Sequence, residues 1–374
     1  MKRYEWRPFL KRWSQDWIAA HDPERDRPLD EDVVRNEWLG FSPATSAQVA
    51  EAEARLGLTL PPSFRDFLLT TDGWRDAGNF VYRLAGTAEI GYLRDMDSMW
   101  NVYADADDDL GPDFNAVVQI SLEGDACVLF LDPGDMGGDG EWAAYRLASW
   151  SGMGPERHAS FHDLMHALFS SFHALRKPPG ETRREWDAEV ETARVAALSG
   201  EVDGPLQVFE EAAKFGHARA QLLAFQMRAL GWDARHLALP AGEDAWLLDD
   251  PAFTGELLPL IVAREPHASQ TLMRSGPERV RLLIARYAER LGDSGYRMCF
   301  GDPGFDAAVN AVVDRLSTDP GADVWPDLRE AVGLWRPLSD HHLAPVILLA
   351  HPALSRVITG ARGREILSMP RSGR

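Results

Sequence analysis

The feature that most restricts the fold is a change of hydrophobic period between residues 80 and 148. Short runs rich in β-branched and aromatic residues follow one another there, separated by Gly and Asp: FVYRL, AVVQIS, ACVLFLD and EWAAYRL. Too little chain separates these runs to hold crossover helices, so the pattern predicts antiparallel strands and makes a doubly wound parallel sheet improbable. The run SFHDLMHALFSSFHAL then returns to a helical period and predicts a helix that closes this part of the chain.

Helical patterns precede the strands. Four aromatic residues and a leucine recur at helical spacing near the N-terminus, namely Trp6, Phe9, Leu10, Trp13 and Trp17. They predict an amphipathic helix over the first twenty residues, packed as an arm on the body of the protein. A charged, Pro-containing linker follows.

Residues 46–74 are predicted to form two short helices around a tight turn. Gly57 is placed to end the first helix as a C-terminal glycine cap. Pro61 and Pro62 then prepare the second helix, since proline suits a first turn, where its missing N–H has no intrahelical partner anyway. Asp72 and Gly73 close the second helix.

Glu53 is unusual because it falls on the apolar stripe of the first of these helices, where an unpaired carboxylate is costly. One interpretation is that it accepts hydrogen bonds from backbone N–H groups near the start of the second helix. The alternative is a catalytic carboxylate, for which no second acid or base lies nearby in sequence.

Strand signals stop after residue 178. The segment from Ala193 to Gly231 predicts a helix hairpin similar to one unit of a helical repeat, and GPERVRLLIARYAERL, FDAAVNAVVDRL and ARGREILSMP predict further helices. His341 and His342 precede the apolar run LAPVILLA and are interpreted as the start of a core helix. The predicted domains are an N-terminal helix and linker (1–37), an α+β domain (38–178) and an all-helical domain (179–374).

The formal net charge of −19 argues against nucleic-acid or anionic-membrane binding. Fourteen Asp and Glu residues but only one arginine, Arg94, lie between Thr87 and Tyr145. We predict that this region is an acidic surface for a basic protein partner, and solvated acidic loops are the alternative. The predicted partner-binding residues are Asp105, Asp107, Asp108, Asp109, Asp132, Asp135, Asp139 and Glu141.

Neither a cofactor site nor a catalytic motif is predicted. His162, His166 and His173 share a stripe of the closing helix and could hold a metal, although exposed or interface histidines are the alternative. The acidic loop 132–141 could hold calcium, although its spacing does not fit a calcium-binding loop. Two cysteines give no disulfide framework, no apolar run of membrane-spanning length occurs, and the N-terminus does not read as a signal peptide, so we expect a cytoplasmic protein.

The order W…GF…E..LG..LP..F..FL…DGW resembles the N-terminal motif of the SUKH superfamily. This superfamily includes the Smi/Knr-type regulators of cell-wall assembly and many bacterial immunity proteins. The later GDACVLFLD and SFHDLMHAL are similar to a strand and the final helix of the same domain. The resemblance implies an α+β fold, with helices packed on an antiparallel sheet and without catalytic residues. The motif residues are Trp38, Glu53, Gly57, Pro61, Phe64, Gly73 and Trp74.

The resemblance also implies a function in protein binding. We expect an immunity protein that binds and neutralises a toxin, such as a nuclease, encoded nearby. The alternative is an intracellular adaptor or regulatory scaffold of the Smi/Knr type without a toxin partner. The role of the helical domain is left open.

Overall fold

The computed structural model describes residues 5–96, 99–100, 111–232, 249–264, 266–293 and 297–371. The chain divides into two compact units, residues 1–183 and 184–374. The first unit combines helices with antiparallel sheets, and the described part of the second unit is helical, so the predicted α+β class is confirmed. None of the described helices has the length and apolar character needed to cross a membrane.

The described strands of the first unit form two sheets in which every neighbouring pair is antiparallel. One sheet has the order β1-β2-β5 and the other the order β3-β4-β6-β7-β8. The strands are β1 (Trp74–Arg75), β2 (Val81–Leu84), β3 (Gly91–Tyr92), β4 (Val118–Gln119), β5 (Ser121–Gly124), β6 (Cys127–Met136), β7 (Trp142–Ala148) and β8 (Glu156–His158).

The longest strand pair is β6 with β7, which form a hairpin. Their register runs from Cys127 opposite Ala148 to Met136 opposite Trp142, with an irregularity between Asp132 and Met136. Such an irregularity re-aims side chains near the end of a hairpin, and here it lies next to the loop that carries the predicted acidic residues.

The helices of the first unit precede, interrupt and follow these strands along the chain. They are α1 (Trp6–Ala20), α2 (Glu31–Asn36), α3 (Ser46–Leu56), α4 (Pro62–Leu68), α5 (Leu93–Met96) and α6 (Phe161–Arg176). The predicted N-terminal helix and closing helix are thus confirmed as α1 and α6.

Helix α1 packs its aromatic stripe on α4 and α6. The ring of Trp6 lies 5.5 Å from Phe67 and 5.6 Å from Phe161, and Trp17 lies 4.8 Å from Phe172. Trp6 and Trp17 are both buried. Since aromatic pairs at these distances add to the burial of apolar surface, α1 is part of the core of the first unit.

Local sequence signals explain the α3–α4 segment. Thr45 and Gln48 form a capping box that starts α3, and Gly57 ends it with a φ of 68°, a left-handed conformation that favours glycine. Gly40, which lies before α3, leaves no room for a larger side chain, because a Cβ there would lie 2.3 Å from Thr71 Oγ1. The predicted pair of helices is therefore confirmed, although α4 ends at Leu68 and not at the predicted Asp72 and Gly73.

The second unit is built from helices around one apolar core. Its first helix begins three residues before the unit boundary. The helices are α7 (Glu181–Leu198), α8 (Asp203–Lys214), α9 (Ala218–Gly231), α10 (Leu258–Arg264), α11 (Pro266–Ser275), α12 (Glu278–Gly292), α13 (Pro303–Thr318), α14 (Trp325–Val332), α15 (Pro352–Val357) and α16 (Gly360–Ser368), with a π-helical turn at Phe253–Leu257 and a 3₁₀ helix at Val346–Ala350.

The interpretation of His341 and His342 as the start of a core helix was wrong. The apolar run forms only the 3₁₀ helix Val346–Ala350, and His342 lies before it with its side chain fully buried. Pro345 and Pro352 confine the run, because proline lacks a backbone donor and disfavours helical geometry in the preceding residue.

Candidate partner-binding site

A groove of about 600 Å³ lies between the α3–α4 connection and the β6–β7 hairpin of the first unit. Its walls are mainly apolar, and two apolar side chains in them face solvent, Met136 at 59% exposure and Leu69 at 38%. The lining residues are Leu58, Thr59, Leu60, Pro62, Arg65, Asp66, Leu69, Pro133, Met136, Gly140 and Trp142.

Glu141 fixes the hairpin wall of the groove to α4. It is 4% exposed, and its Oε1 accepts the backbone N–H of Ser63 at 2.8 Å. Its Oε2 accepts the hydroxyl of the same serine at 2.6 Å. Because both carboxylate oxygens are satisfied by the first turn of α4, this charge is committed to holding two elements together.

Glu53 fixes the opposite wall. Its Oε1 accepts the backbone N–H of Leu60 at 2.9 Å and lies 3.4 Å from Arg65. Leu60 lies two residues before the start of α4, so the interpretation of Glu53 as an acceptor for backbone donors near the next helix is confirmed. Arg65 adds an ionic contact that the sequence reasoning did not foresee.

Asp132 and Asp135 organise the loop of the hairpin. Asp132 is 6% exposed and accepts the N–H of Gly134 at 2.8 Å, and burial raises the pKa of its carboxyl. Asp135 accepts two hydrogen bonds from Arg157, at 2.6 and 2.8 Å, and one from the Tyr145 hydroxyl at 3.0 Å. The Arg157 guanidinium lowers the pKa of Asp135, while burial and Asp135 raise the pKa of Tyr145 to about 12.

Part of the first unit matches a known protein family in sequence. Residues 43–174 match the sequence model of the SMI1 / KNR4 family (SUKH-1). The first unit contains a SUKH domain. The resemblance inferred from the motif is thereby confirmed, although Trp38 and Gly40 lie just before the matched segment. No curated protein and no solved structure shows significant similarity to the chain.

The motif residues of the SUKH domain build its core and its turns. Trp74 is fully buried in β1, and the ring of Trp38 meets it edge-on at 5.3 Å. Phe64 is buried in α4 with its ring 4.8 Å from Phe161. Gly73 has a φ of 104°. Pro61, the last residue of this set, lies directly before α4.

The acidic surface predicted on the SUKH domain needs correction. Asp132 and Glu141 are buried, and Asp135 is engaged by Arg157, so none of these three is a free surface charge. Asp139 is exposed and caps only the N–H of Glu141, at 3.2 Å. The predicted residues Asp105, Asp107, Asp108 and Asp109 lie outside the described residues.

Arginines from outside residues 87–145 pair with some of the carboxylates inside this segment. Glu89 pairs with Arg83 at 2.6 Å, and Glu123 lies 4.0 Å from Arg27. A charge count within one sequence window omits such partners, because the fold brings them from other parts of the chain. The excess of negative charge on the described surface is therefore smaller than the sequence indicates.

The histidine stripe of α6 faces the aromatic residues of α1. The ring of His166 stacks on Phe9 at 4.6 Å, and His173 is buried with its Nε2 3.1 Å from the carboxylate of Asp16. Burial lowers the pKa of His162. Within the described parts of the chain, no three His, Cys, Asp or Glu side chains are grouped to hold a metal ion.

The sequence reasoning missed the groove itself. Met136 lies beyond the apolar part of β6, in a Gly- and Asp-rich stretch that reads as an ordinary hairpin loop. Leu69 follows α4 and reads as one more core residue. An apolar residue inside a polar hairpin loop is the available signal, although it does not say what lies opposite.

Proposed function

We propose that the SUKH domain binds a protein partner through the groove, and that the protein is an immunity protein that neutralises a polymorphic or contact-dependent bacterial toxin. The observation that carries this proposal is an apolar groove with two exposed apolar side chains, Met136 and Leu69. Glu53 and Glu141 hold its walls in place, so little ordering is needed when a partner enters. The function of known SUKH immunity proteins supports the same conclusion.

A basic partner is the second part of the proposal. Asp66 lies in the groove wall, Asp139 is exposed on the adjoining loop, and the net charge of the chain is −19. The acidic segment DADDD at residues 105–109 contributes four of these negative charges. Complementary charge accelerates encounter with a cationic protein, such as a toxin nuclease that must itself hold phosphates.

The proposed compartment is the cytoplasm. Cys127 and Cys299 are both unpaired thiols, a state that a reducing compartment preserves. No cofactor and no chemical step are assigned to the groove, since the proposed role requires only binding.

The test is to co-express the protein with the product of the neighbouring open reading frame and to measure the affinity of the purified pair. Replacing Met136 with Glu places a charge in the apolar wall and is expected to weaken binding at least tenfold. Met153→Glu is the matched control, because Met153 is 75% exposed and does not line the groove. Equal binding by wild type, M136E and M153E would show that the groove is not the interface.

Charge complementarity is tested separately on the same pair. Reversing Asp107, Asp108 and Asp109 to Lys, or raising the salt concentration, is expected to slow association more than it changes dissociation. Met136→Glu is expected to act mainly on dissociation. If association is indifferent both to salt and to the triple reversal, the partner does not use the acidic segment.

The alternative function is an intracellular adaptor of the Smi/Knr type. It is favoured by the second unit, which has its own core and lies outside the family match. An adaptor would capture several cellular proteins and show no preference for the product of the neighbouring gene. Capture of one such product, with protection of cells from its toxicity, supports the immunity function instead.

A further inference from the structure

A pocket of about 190 Å³ lies within the helical unit, beside the π-helical turn Phe253–Leu257. We call it the Glu256 pocket. Its wall combines apolar side chains with a few polar ones. The lining residues are Gly255, Glu256, Pro259, Tyr287, Arg290, Leu291, Met298, Cys299, Phe300, Gly301, Leu338 and Ile347.

Glu256 is 2% exposed and uses one carboxylate oxygen within the protein. Its Oε2 lies 2.9 Å from Nε2 of His342 and accepts the N–H of Ile347 at 3.4 Å. The backbone N–H of Leu338 donates to Nδ1 of His342 at 3.0 Å. The N–H of Leu338 thus occupies Nδ1 of His342, while Nε2 makes a close contact with Oε2 that lacks the geometry of a hydrogen bond.

The other oxygen of Glu256 is turned toward the pocket. Among the residues that the structure describes, none donates a hydrogen bond to Oε1. This oxygen lies 3.9 Å from the position that a Cβ on Gly301, another residue of the pocket wall, would occupy. A buried carboxylate oxygen without a donor is costly, and π-helical turns are frequent at functional sites, so both features suit a ligand that donates to Oε1.

A second carboxylate, that of Asp306, lies beside the pocket. Cys299 Sγ lies 3.1 Å from Oδ2 of Asp306. A hydrogen bond with the Gly301 backbone lowers the pKa of the Cys299 thiol, but burial, Asp306 and Glu256 outweigh it and the net shift is upward. Arg290 also lines the pocket, whereas the described basic side chain within 4 Å of the Glu256 carboxylate is that of His342.

We propose that the Glu256 pocket binds a protonated primary amine, with the ammonium group on Oε1 of Glu256 and the alkyl chain against Met298, Phe300 and Leu338. An ammonium is a compact cation that can donate one of its N–H groups to the free carboxylate oxygen in a pocket of this size. A divalent metal fits less well, because no described group of three ligating side chains is present to hold it. The amine belongs either to a free alkylamine or to a lysine side chain.

Cys299 provides the readout, because it is exposed and lines the pocket, whereas Cys127 is buried. The full-length protein is treated with a chromogenic thiol reagent in the presence of n-butylammonium, and calorimetry gives the affinity. We expect at least fivefold slower modification of Cys299 at saturation. Neutral n-butanol and the bulky tetramethylammonium ion, at equal ionic strength, are expected to leave the rate unchanged.

Two variants test the location of the amine. Glu256→Gln removes the charge at Oε1, and Gly255→Leu places a side chain at the pocket rim, where an added Cβ meets no atom within 4 Å. Each is expected to weaken butylammonium binding at least tenfold. Gly204→Leu is the matched control, since a Cβ there also meets no atom within 4 Å and Gly204 does not line the pocket.

The outcomes separate the two sources of the amine. Protection by butylammonium but not by N-acetyl-lysine methylamide identifies a free amine, and protection by both identifies a lysine side chain. The proposal is overturned if neither amine protects Cys299, if butanol protects as well as butylammonium, or if G255L binds the amine as tightly as G204L.

Discussion

Glu141 in the SUKH domain and Glu256 in the helical unit are both buried, with 4% and 2% of their surface exposed. Glu141 gives each of its oxygens to a donor on Ser63. Oε2 of Glu256 accepts the N–H of Ile347 and lies beside His342, while Oε1 meets no described donor. Burial of a carboxylate therefore does not by itself mark a binding site, whereas an unused acceptor that faces a pocket does.

The two recesses differ in the same way. The groove of the SUKH domain is bounded by carboxylates that are already engaged, so it offers mainly apolar surface to a partner. The Glu256 pocket is smaller and offers one carboxylate oxygen without a described donor. The first arrangement suits a protein surface and the second suits a small charged group.

The largest effect is expected for Glu141→Ala. This change leaves the N–H and the hydroxyl of Ser63 without their acceptor, which costs about 2–4 kcal/mol of unfolding free energy. Urea denaturation measures the loss, and Asp139→Ala, an exposed acid in the same loop, is expected to change stability by less than about 0.5 kcal/mol. Equal stability of the two variants would mean that Glu141 does not hold the hairpin to α4.

Asp76 is a half-buried carboxylate of the first unit whose pKa is shifted upward. Burial raises its pKa to about 6, against the lowering influence of Arg27, Arg176 and Arg75 and with a smaller raising influence of Asp30. The protonated form is favoured in the folded state, so this contribution to stability is present below a pH of about 4 and is lost as the pH rises through about 6.

Asp76→Asn is therefore expected to stabilise the protein by about 1–3 kcal/mol at pH 7 and to have little effect near pH 4. Asparagine also suits the left-handed backbone at this position, where φ is 50°. Unfolding measured at pH 4, 5.5 and 7 checks the prediction. A stability difference that does not grow with pH would contradict the raised pKa.

Glu53→Ala is expected to have an intermediate effect of about 1–2 kcal/mol, because it leaves the N–H of Leu60 without its acceptor but its side chain is 16% exposed. Thermal and urea unfolding measure the loss. Arg65→Ala serves as the comparison and is expected to cost less, since it removes only the ionic contact. Unchanged unfolding of the Glu53 variant together with lost partner binding would instead favour a direct functional role.

The smallest effect is expected for Glu256→Gln, a change of less than about 1 kcal/mol. The amide oxygen can accept the N–H of Ile347 and lie beside His342 as Oε2 does, and the amide nitrogen takes the position of Oε1. Urea denaturation beside Glu141→Ala gives the comparison directly. A loss as large as that of the Glu141 variant would show that both oxygens of Glu256 are engaged.

Much of the fold could be predicted where the signal is local. The capping residues around Thr45, the glycine at position 57 and the proline at the start of α4 each act within a few residues, and they set both ends of α3 and the start of α4. The end of α4 was not predicted correctly, since it lies at Leu68. The division of the strands into two sheets could not be predicted, because pairings such as β2 with β5 join distant segments through side-chain packing.

The sequence by itself determined the SUKH motif, the helical period of α1 and α6, and the role of Glu53 as an acceptor for backbone donors. These features depend on periodicity, caps and turns, which act over a few residues. Only the tertiary structure decided that Glu141 meets Ser63, that Arg157 engages Asp135, and that Glu256 keeps one oxygen free of described donors. The environment of a charge depends on which distant residues the fold brings within hydrogen-bonding distance, and that information is not contained in any single stretch of sequence.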